Sequence, residues 1–236
     1  VLSTLAGIAV SVSKIGHDLR LLAHLREVEE PFEEEQIGSS AMPYKRNPMR
    51  AERMCALSRH VIVLSQDAAF TAATQWLERT LDDSANKRVS VPDAFLTLDG
   101  CLVLLENVAT GITVNRDMIR RNLSEHLPFM ATETILMHVV SGGGDRQHLH
   151  ERIRQHSIVA AKRMKEEGEA LDLLERIAGD ESFGLSLDDL KELSDPRKFI
   201  GRAPEQVTRF LEEKVEPLLA RTKERIQPIS EPEVHV

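Results

Sequence analysis

The stretch VPDAFLTLDGCLVLLENVATGI, residues 91–112, repeats apolar residues at intervals of three and four. Because an α-helix turns once every 3.6 residues, this spacing places them on one helical face. The residues of this face are Val91, Phe95, Leu98, Leu102, Leu105, Ala109 and Ile112. The pattern therefore predicts a helix about 30 Å long with one buried side.

Two similar stripes precede it. The first passes through Leu5, Ile8, Val12, Ile15, Leu19 and Leu22 and predicts a helix that ends near Arg26. The second passes through Met54, Leu57, Val61 and Leu64. Asn47 suits the N-cap of that second helix and Pro48 its first position. Three long amphipathic helices and no convincing strand pattern predict an all-α fold built on a long-helix bundle.

Beyond Gly111 the predicted helices become shorter, and glycine and proline become more frequent. We therefore place a domain boundary near residue 114. Residues 1–114 are expected to form part of a central helical bundle, and residues 115–236 a smaller all-helical C-terminal domain. The tail from about residue 227 contains Pro228 and Pro232 and is expected to be flexible. Asp145, which follows three glycines, is expected to cap a helix.

Composition narrows the class of protein. The net charge of −8 makes a general nucleic-acid binder a poor fit, and no apolar run of about 18 residues predicts a membrane span. Cys55 and Cys101 lie in apolar helical patterns, which favours reduced thiols and a cytoplasmic location. The apolar start, Val1 to Val12, lacks a basic leader and an initiator methionine, so we expect the protein to begin upstream.

The segment GSSAMPYKRNP, residues 38–48, combines a Gly-Ser-Ser start with a rigid proline and a helix N-terminus. Backbone N–H groups at that terminus, with Lys45, Arg46, Arg50 and Arg53 nearby, would attract a carboxylate or a phosphate. A polar loop with an ordinary helix cap is the alternative interpretation of the same residues.

The order Gly-Ser-Ser-x-Met-Pro-x-Lys-x-Asn-Pro resembles the signature of the fumarase/aspartase superfamily. That resemblance implies that Ser39 is the general base, with Ser40 as its rival, and that Lys45 and Asn47 hold the substrate carboxylate. Removal of a proton beside a carboxylate builds negative charge, which fixed cationic and N–H donors stabilise most in the transition state. A serine is a weak base at neutral pH and needs such a field to lose its proton.

A second segment, QWLERTLDDSANKR at residues 75–88, offers Arg79, Ser84 and Arg88 as donors that suit phosphate oxygens. The alternative is a charged interhelix turn in which Asp82 or Ser84 caps the third helix. The segment resembles the Glu-Arg-Thr-Leu-Asp-Asp-Ser-Ala run of the adenylosuccinate lyase family. By that resemblance Arg79, Ser84 and Arg88 bind the nucleotide, and Arg53 binds substrate near the reacting end.

The family resemblance implies a lyase that breaks a C–N bond by β-elimination and releases fumarate in purine nucleotide biosynthesis. It implies two nucleotide substrates, adenylosuccinate and the succinylated aminoimidazole carboxamide ribotide. It also implies a homotetramer with shared active sites and a general-acid histidine from an upstream segment, so we expect the chain alone to be inactive. Another fumarate-releasing lyase, such as argininosuccinate lyase, or a non-catalytic relative remains the alternative.

No metal or redox cofactor is expected. His148 and His150 are two residues apart and would point to different faces of a helix, which disfavours a shared metal ion.

Overall fold

The computed structural model describes residues 1–32 and 46–223. The chain divides into two compact units, of which the first comprises Val1–Ile119 and the second begins at Arg120. Helices dominate both, so the predicted all-α class is confirmed. The boundary near residue 114 stays a prediction, and the tail expected from about residue 227 lies outside the described residues. In the described part of the chain, no helix is both long and apolar enough to cross a membrane.

The described part of the first unit contains the helices α1 (Leu2–His24), α2 (Met49–Leu64), α3 (Asp67–Ala73) and α4 (Asp82–Gly111). The three predicted stripes lie on α1, α2 and α4, which pack together around one apolar core. The face predicted as buried on α4 was wrong, since Phe95, Leu102 and Ile112 are exposed. The buried face of α4 instead runs through Ala94, Leu98, Cys101, Leu104 and Val108. The core draws on all three helices. Its members include Leu5, Val12, Leu19, Met54, Val61, Leu98, Leu104 and Val108. The short helix α3 was not predicted, because seven residues are too few to display a clear period.

α1 and α2 approach each other closely at Gly16. A Cβ atom built there would lie 2.8 Å from the Cys55 sulfur and 3.1 Å from the carbonyl oxygen of Ala51. Both distances are shorter than ordinary van der Waals contact. The two helix backbones can therefore come this close only because residue 16 has no side chain.

Cross-helix contacts establish that α2 and α4 run antiparallel. Ser58 Oγ lies 3.7 Å from Cys101 Sγ, and farther along α2, His60 Nε2 lies 2.6 Å from Asp93 Oδ2. Residue numbers therefore rise on α2 as they fall on α4. The start of α4 accordingly lies beyond the end of α2, next to α3.

A two-stranded antiparallel ladder ties the far end of α1 to the end of α4. Strand β1 (Val28–Glu29) pairs with β2 (Thr113–Val114), and Val28 lies opposite Val114. The sequence predicted no strand, because two residues cannot show an alternating pattern. Asn115 extends the ladder by donating its backbone N–H to the carbonyl oxygen of Glu27 at 2.9 Å.

The chain continues through shorter helices, and those between residues 132 and 193 form a second apolar core. This core includes Ile135, Leu149, Ile153, Leu173, Ile177, Phe183 and Leu190. The helices are α5 (Arg116–Met130), α6 (Thr132–Ser141), α7 (Arg146–Lys162), α8 (Leu173–Ala178), α9 (Leu187–Leu193), α10 (Ala203–Phe210) and α11 (Glu216–Thr222). Asp145 caps α7 as predicted, since its carboxylate accepts the N–H of His148 at 2.8 Å.

A buried carboxylate organises part of the second unit. Asp180 accepts hydrogen bonds from Arg152 Nε at 2.8 Å and Ser182 Oγ at 2.6 Å, and it lies 2.7 Å from His156 Nε2. Burial opposes ionisation of Asp180, but these hydrogen bonds outweigh burial and lower its pKa. His156 showed no partner in the sequence, because Asp180 lies 24 residues away.

Candidate active site

The helix that follows the signature loop begins one residue later than the sequence predicts. Met49 is the first residue of α2 and Pro48 is its N-cap, with ψ 62°, outside the helical range. Asn47 precedes the cap, and its carbonyl oxygen accepts the N–H of Met49 at 2.8 Å. The prediction of Asn47 as N-cap and Pro48 as first helical residue was therefore wrong by one position.

The N-terminus of α2 is capped by a carboxylate from another segment. Glu30 accepts the N–H of Arg50 at 2.9 Å and that of Ala51 at 2.6 Å, one with each carboxylate oxygen. Burial raises the pKa of Glu30, although the two backbone hydrogen bonds act in the opposite direction. The expectation that this helix terminus receives a substrate anion is thus wrong for these two N–H groups.

Two of the cations expected to charge this region also have partners in residues 29–32. Arg50 is only 2% exposed, and its guanidinium donates to the carbonyl oxygen of Pro31. Arg46 donates to Glu29 at 3.0 Å and lies over the Phe32 ring, 4.9 Å from its centroid. No local pattern in the sequence marks Glu29 and Glu30 as partners of Arg46 and of the first turn of α2, and this role was missed.

Asn47 borders two neighbouring cavities of about 600 and about 520 Å³. Both lie within the size range of small-molecule sites. Ala23, His24, Arg46 and Pro48 line both cavities with Asn47, and Glu52 lines the second. Ser39, Ser40 and Lys45, the other residues predicted for this site, lie outside the described residues. Arg53 is exposed on the first turns of α2.

The second predicted cluster lies at the start of α4. Arg88 donates to the carbonyl oxygen of Ser84 at 2.6 Å and also to the Ser84 hydroxyl, so these two residues are brought together one helical turn apart. Arg79 lies in the preceding turn and donates to Asp83 at 3.1 Å. The segment thus presents two guanidinium groups and a hydroxyl within a short stretch of chain.

Carboxylates accompany this cluster. Leu81 is the N-cap of α4, so the alternative in which Asp82 or Ser84 caps the helix was wrong. Asp82 instead accepts hydrogen bonds from Thr80 and Gln75, which lower its pKa. An incoming phosphate would compete with Asp83 for Arg79, whereas Arg88 is engaged only with uncharged groups of Ser84 in these contacts.

The two clusters lie at opposite ends of the bundle. A Cβ atom on Gly111, at the end of α4, would approach Pro31 to 2.6 Å, and Pro31 contacts Arg50 at the start of α2. Arg88 is separated from Gly111 by about 35 Å of α4 at 1.5 Å per residue. Asn47 and Arg88 of one chain therefore cannot contact the same small molecule.

The described residues contain no group of three or more His, Cys, Asp or Glu side chains arranged to hold a metal ion.

Comparison with solved structures defines the class of protein. The chain is similar to 3-carboxy-cis,cis-muconate lactonizing enzyme from Pseudomonas putida, with 27% identity and a TM-score of 0.73 over 90% of this chain and 46% of that one. It also resembles a fumarate lyase from Mesorhizobium sp. BNC1, with 23% identity and a TM-score of 0.66 over 86% and 43% of the two chains. This fold is that of the fumarase/aspartase superfamily.

Comparison with known sequences identifies the family within this superfamily. A family model described as "Lyase" matches residues 1–63, and one described as "Adenylosuccinate lyase C-terminus" matches residues 128–210. The adenylosuccinate lyase of Saccharomyces cerevisiae is 52% identical over 215 residues, which are 91% of this chain and 45% of that protein. The chain belongs to the adenylosuccinate lyase family. It spans about half the length of the curated relatives it matches.

Proposed function

We propose that this chain supplies part of the active site of a lyase that cleaves a C–N bond by β-elimination and releases fumarate. Its substrates are adenylosuccinate, which yields AMP, and the succinylated aminoimidazole carboxamide ribotide, both in purine nucleotide biosynthesis. The observation that carries the proposal is the 52% identity to the yeast enzyme over 91% of the chain.

In the proposed reaction, Ser39 takes a proton from the carbon beside a substrate carboxylate. The electron pair left on that carbon forms the new C=C bond as the C–N bond breaks, and a general acid from an upstream segment protonates the departing nitrogen. Lys45 and Asn47 hold the carboxylate on which charge develops, which lowers the barrier more than it strengthens ground-state binding. The position of Asn47 between two cavities at the start of α2 supports its role.

Arg79, Ser84 and Arg88 bind the nucleotide part of the substrate, and Arg53 binds nearer the reacting end. Guanidinium groups match phosphate oxygens in geometry as well as in charge. The contact between Arg88 and Ser84 supports this role, because it already directs a guanidinium and a hydroxyl toward each other at the start of α4.

Each complete site combines the two ends of the bundle from different copies of the chain in a homotetramer. The length of about 35 Å of α4 between Arg88 and Gly111, which lies at the Asn47 end of the bundle, supports this arrangement, since one substrate cannot span it. Exposed apolar side chains along α1 and α4, such as Val10, Val89, Phe95 and Leu96, supply surface that association would bury. We place the enzyme in the cytoplasm, and the free thiols of Cys55 and Cys101 support that location.

The test uses a chimera in which this chain replaces the matching 45% of the Saccharomyces cerevisiae relative. The folded chimera is expected to release fumarate from both nucleotide substrates, measured by absorbance, while the chain alone releases none. A folded chimera that is inactive on both nucleotide substrates, or that acts on argininosuccinate instead, would contradict the proposal. Fumarate release by the chain alone would show that no other segment is needed.

A further inference from the structure

We infer that Glu30 is a positioning residue for the site at the start of α2, an inference that rests on the proposed function. α2 begins at a proline cap, whose side chain has no oxygen to accept the first N–H groups of the helix. Glu30, 20 residues before Arg50, supplies both acceptors from a different segment. One carboxylate thus performs the task that a local cap residue performs in most helices.

The fit between Glu30 and α2 is close. Each carboxylate oxygen takes one N–H group, and the negative charge lies where the helix dipole is positive. The neighbouring Pro31 carbonyl receives the guanidinium of the buried Arg50, which fixes the same two segments by a second contact. The backbone of residues 30–31 is therefore held against residues 50–51.

Asn47 depends on this contact for its position. The Met49 N–H donates to the Asn47 carbonyl oxygen at 2.8 Å, which joins Asn47 directly to the first helical residue. If the first turn of α2 shifts or frays, Asn47 moves relative to the two cavities that it borders. Glu30 acts on the reaction through the backbone of α2, and its own carboxylate is occupied by Arg50 and Ala51.

A position-sensitive effect should appear in turnover more than in substrate affinity. In the chimera, Glu30→Gln keeps the length of the side chain and one oxygen acceptor but places an NH₂ group against the second N–H. We expect kcat to fall by about tenfold to a hundredfold, the scale on which a misplacement of about 1 Å acts, while KM changes by less than about twofold. Glu30→Asp keeps the charge but is too short to reach both N–H groups, so a smaller fall in kcat is expected.

Asp145→Ala is the matched control, because Asp145 also caps a helix with a carboxylate but does so on α7, and Ala removes that cap. It should lower the Tm about as much as Glu30→Gln does and leave kcat unchanged. Amide hydrogen exchange provides a readout that does not need activity: the N–H groups of Arg50 and Ala51 should exchange faster in Glu30→Gln than in the parent.

The outcomes separate the two proposals. A parent chimera without lyase activity counts against the proposed function, and the exchange of Arg50 and Ala51 still tests the cap. An active parent with a Glu30→Gln variant of unchanged kcat overturns the positioning role, even if the Tm falls. If Glu30→Gln does not fold, Glu30→Asp replaces it, and a parental kcat in Glu30→Asp overturns the positioning role equally. In whichever variant folds, exchange of the Arg50 and Ala51 N–H groups at the parental rate would remove the structural basis of the role.

Discussion

Asn47 and Arg88 lie at opposite ends of the same helical bundle, one beside the start of α2 and the other near the start of α4. The antiparallel course of these helices places Gly111, not Arg88, next to the segment that contacts α2. A substrate held by Asn47 of one copy must therefore meet the Arg88 side chain of another copy if both residues serve one reaction.

Mixing two damaged proteins tests that arrangement. Chimeras carrying Asn47→Ala or Arg88→Ala should each be weakly active at low substrate concentration, because every site lacks one group. Subunits exchanged between them should recover activity, since some hybrid sites receive an intact residue from each copy. The control is a chimera that carries both substitutions on one chain. Exchange of its subunits with one another should recover no activity. Hybrids detected by native mass spectrometry without recovered fumarate release would contradict shared sites.

The general base is tested by Ser39→Ala in the chimera. Loss of a general base lowers turnover by at least roughly a hundredfold, so kcat should fall by that factor while the protein stays folded. Ser40→Ala is the matched control, because it removes the neighbouring hydroxyl. If Ser40→Ala abolishes turnover and Ser39→Ala does not, the two roles are exchanged; near-normal turnover in both rejects a serine base.

Arg88→Ala should act mainly on substrate binding. If the guanidinium holds the phosphate in both the ground state and the transition state, its loss raises KM and leaves kcat nearly unchanged. Arg88→Lys retains the charge without the planar fork and should give an intermediate KM. Lys87→Ala, which removes the exposed cation immediately before Arg88 on α4, is the control and should leave KM at the parental value. A KM for Arg88→Ala equal to that of the parent would count against a phosphate site.

How far the sequence predicts the structure depends on the range of the interaction. The existence of α1, α2 and α4 follows from a local period, and the cap at Asp145 from a local preference, so both were predictable. Which face of α4 is buried was not, because it depends on how the helix packs against α1 and α2. The Glu30 cap and the Asp180–His156 contact join residues about 20 or more positions apart, and no local pattern reveals such pairs. The shift of the α2 cap from Asn47 to Pro48 has the same origin, because a distant carboxylate replaces the local cap.

The site shows the same limit. Asn47, Ser84 and Arg88 could be chosen as candidate site residues from residue type and motif order. The contact between Ser84 and Arg88 follows from their spacing of one helical turn. The large distance between Asn47 and Arg88 could not be predicted in this way, since it depends on the antiparallel packing of α2 and α4.

The close packing of α1 on α2 gives a prediction for stability. Gly16→Ala forces a methyl group against the Cys55 sulfur and the Ala51 carbonyl, so we expect a loss of about 1–3 kcal/mol in the free energy of unfolding. Gly7→Ala on the same helix meets open space and should instead stabilise by up to about 1 kcal/mol through helix propensity. Urea unfolding followed by circular dichroism measures both. Equal effects of the two substitutions would show that α1 and α2 do not pack as described.

Asp180→Asn should weaken the second unit, because it removes the charge that Arg152, Ser182 and His156 surround, and the Asp180 side chain is only 8% exposed. Because Arg152 is partly exposed to solvent, we expect a loss of about 1.5–3 kcal/mol, the scale of hydrogen bonds to a charged group. Glu205→Gln is the control, since Glu205 pairs with Arg202 at the surface and its loss should leave the Tm unchanged.

The pH dependence of that loss identifies its cause. The pKa of folded Asp180 lies below the value of about 3.9 for an unfolded aspartate, so its charge stabilises the fold fully above that pH. As the pH falls below about 4, the unfolded chain binds the proton first, and the advantage of the parent over Asp180→Asn shrinks. Urea unfolding of both proteins at pH 7 and pH 3 measures this difference. A difference that is the same at both pH values would show that Asp180 stabilises the unit by packing and not by its charge.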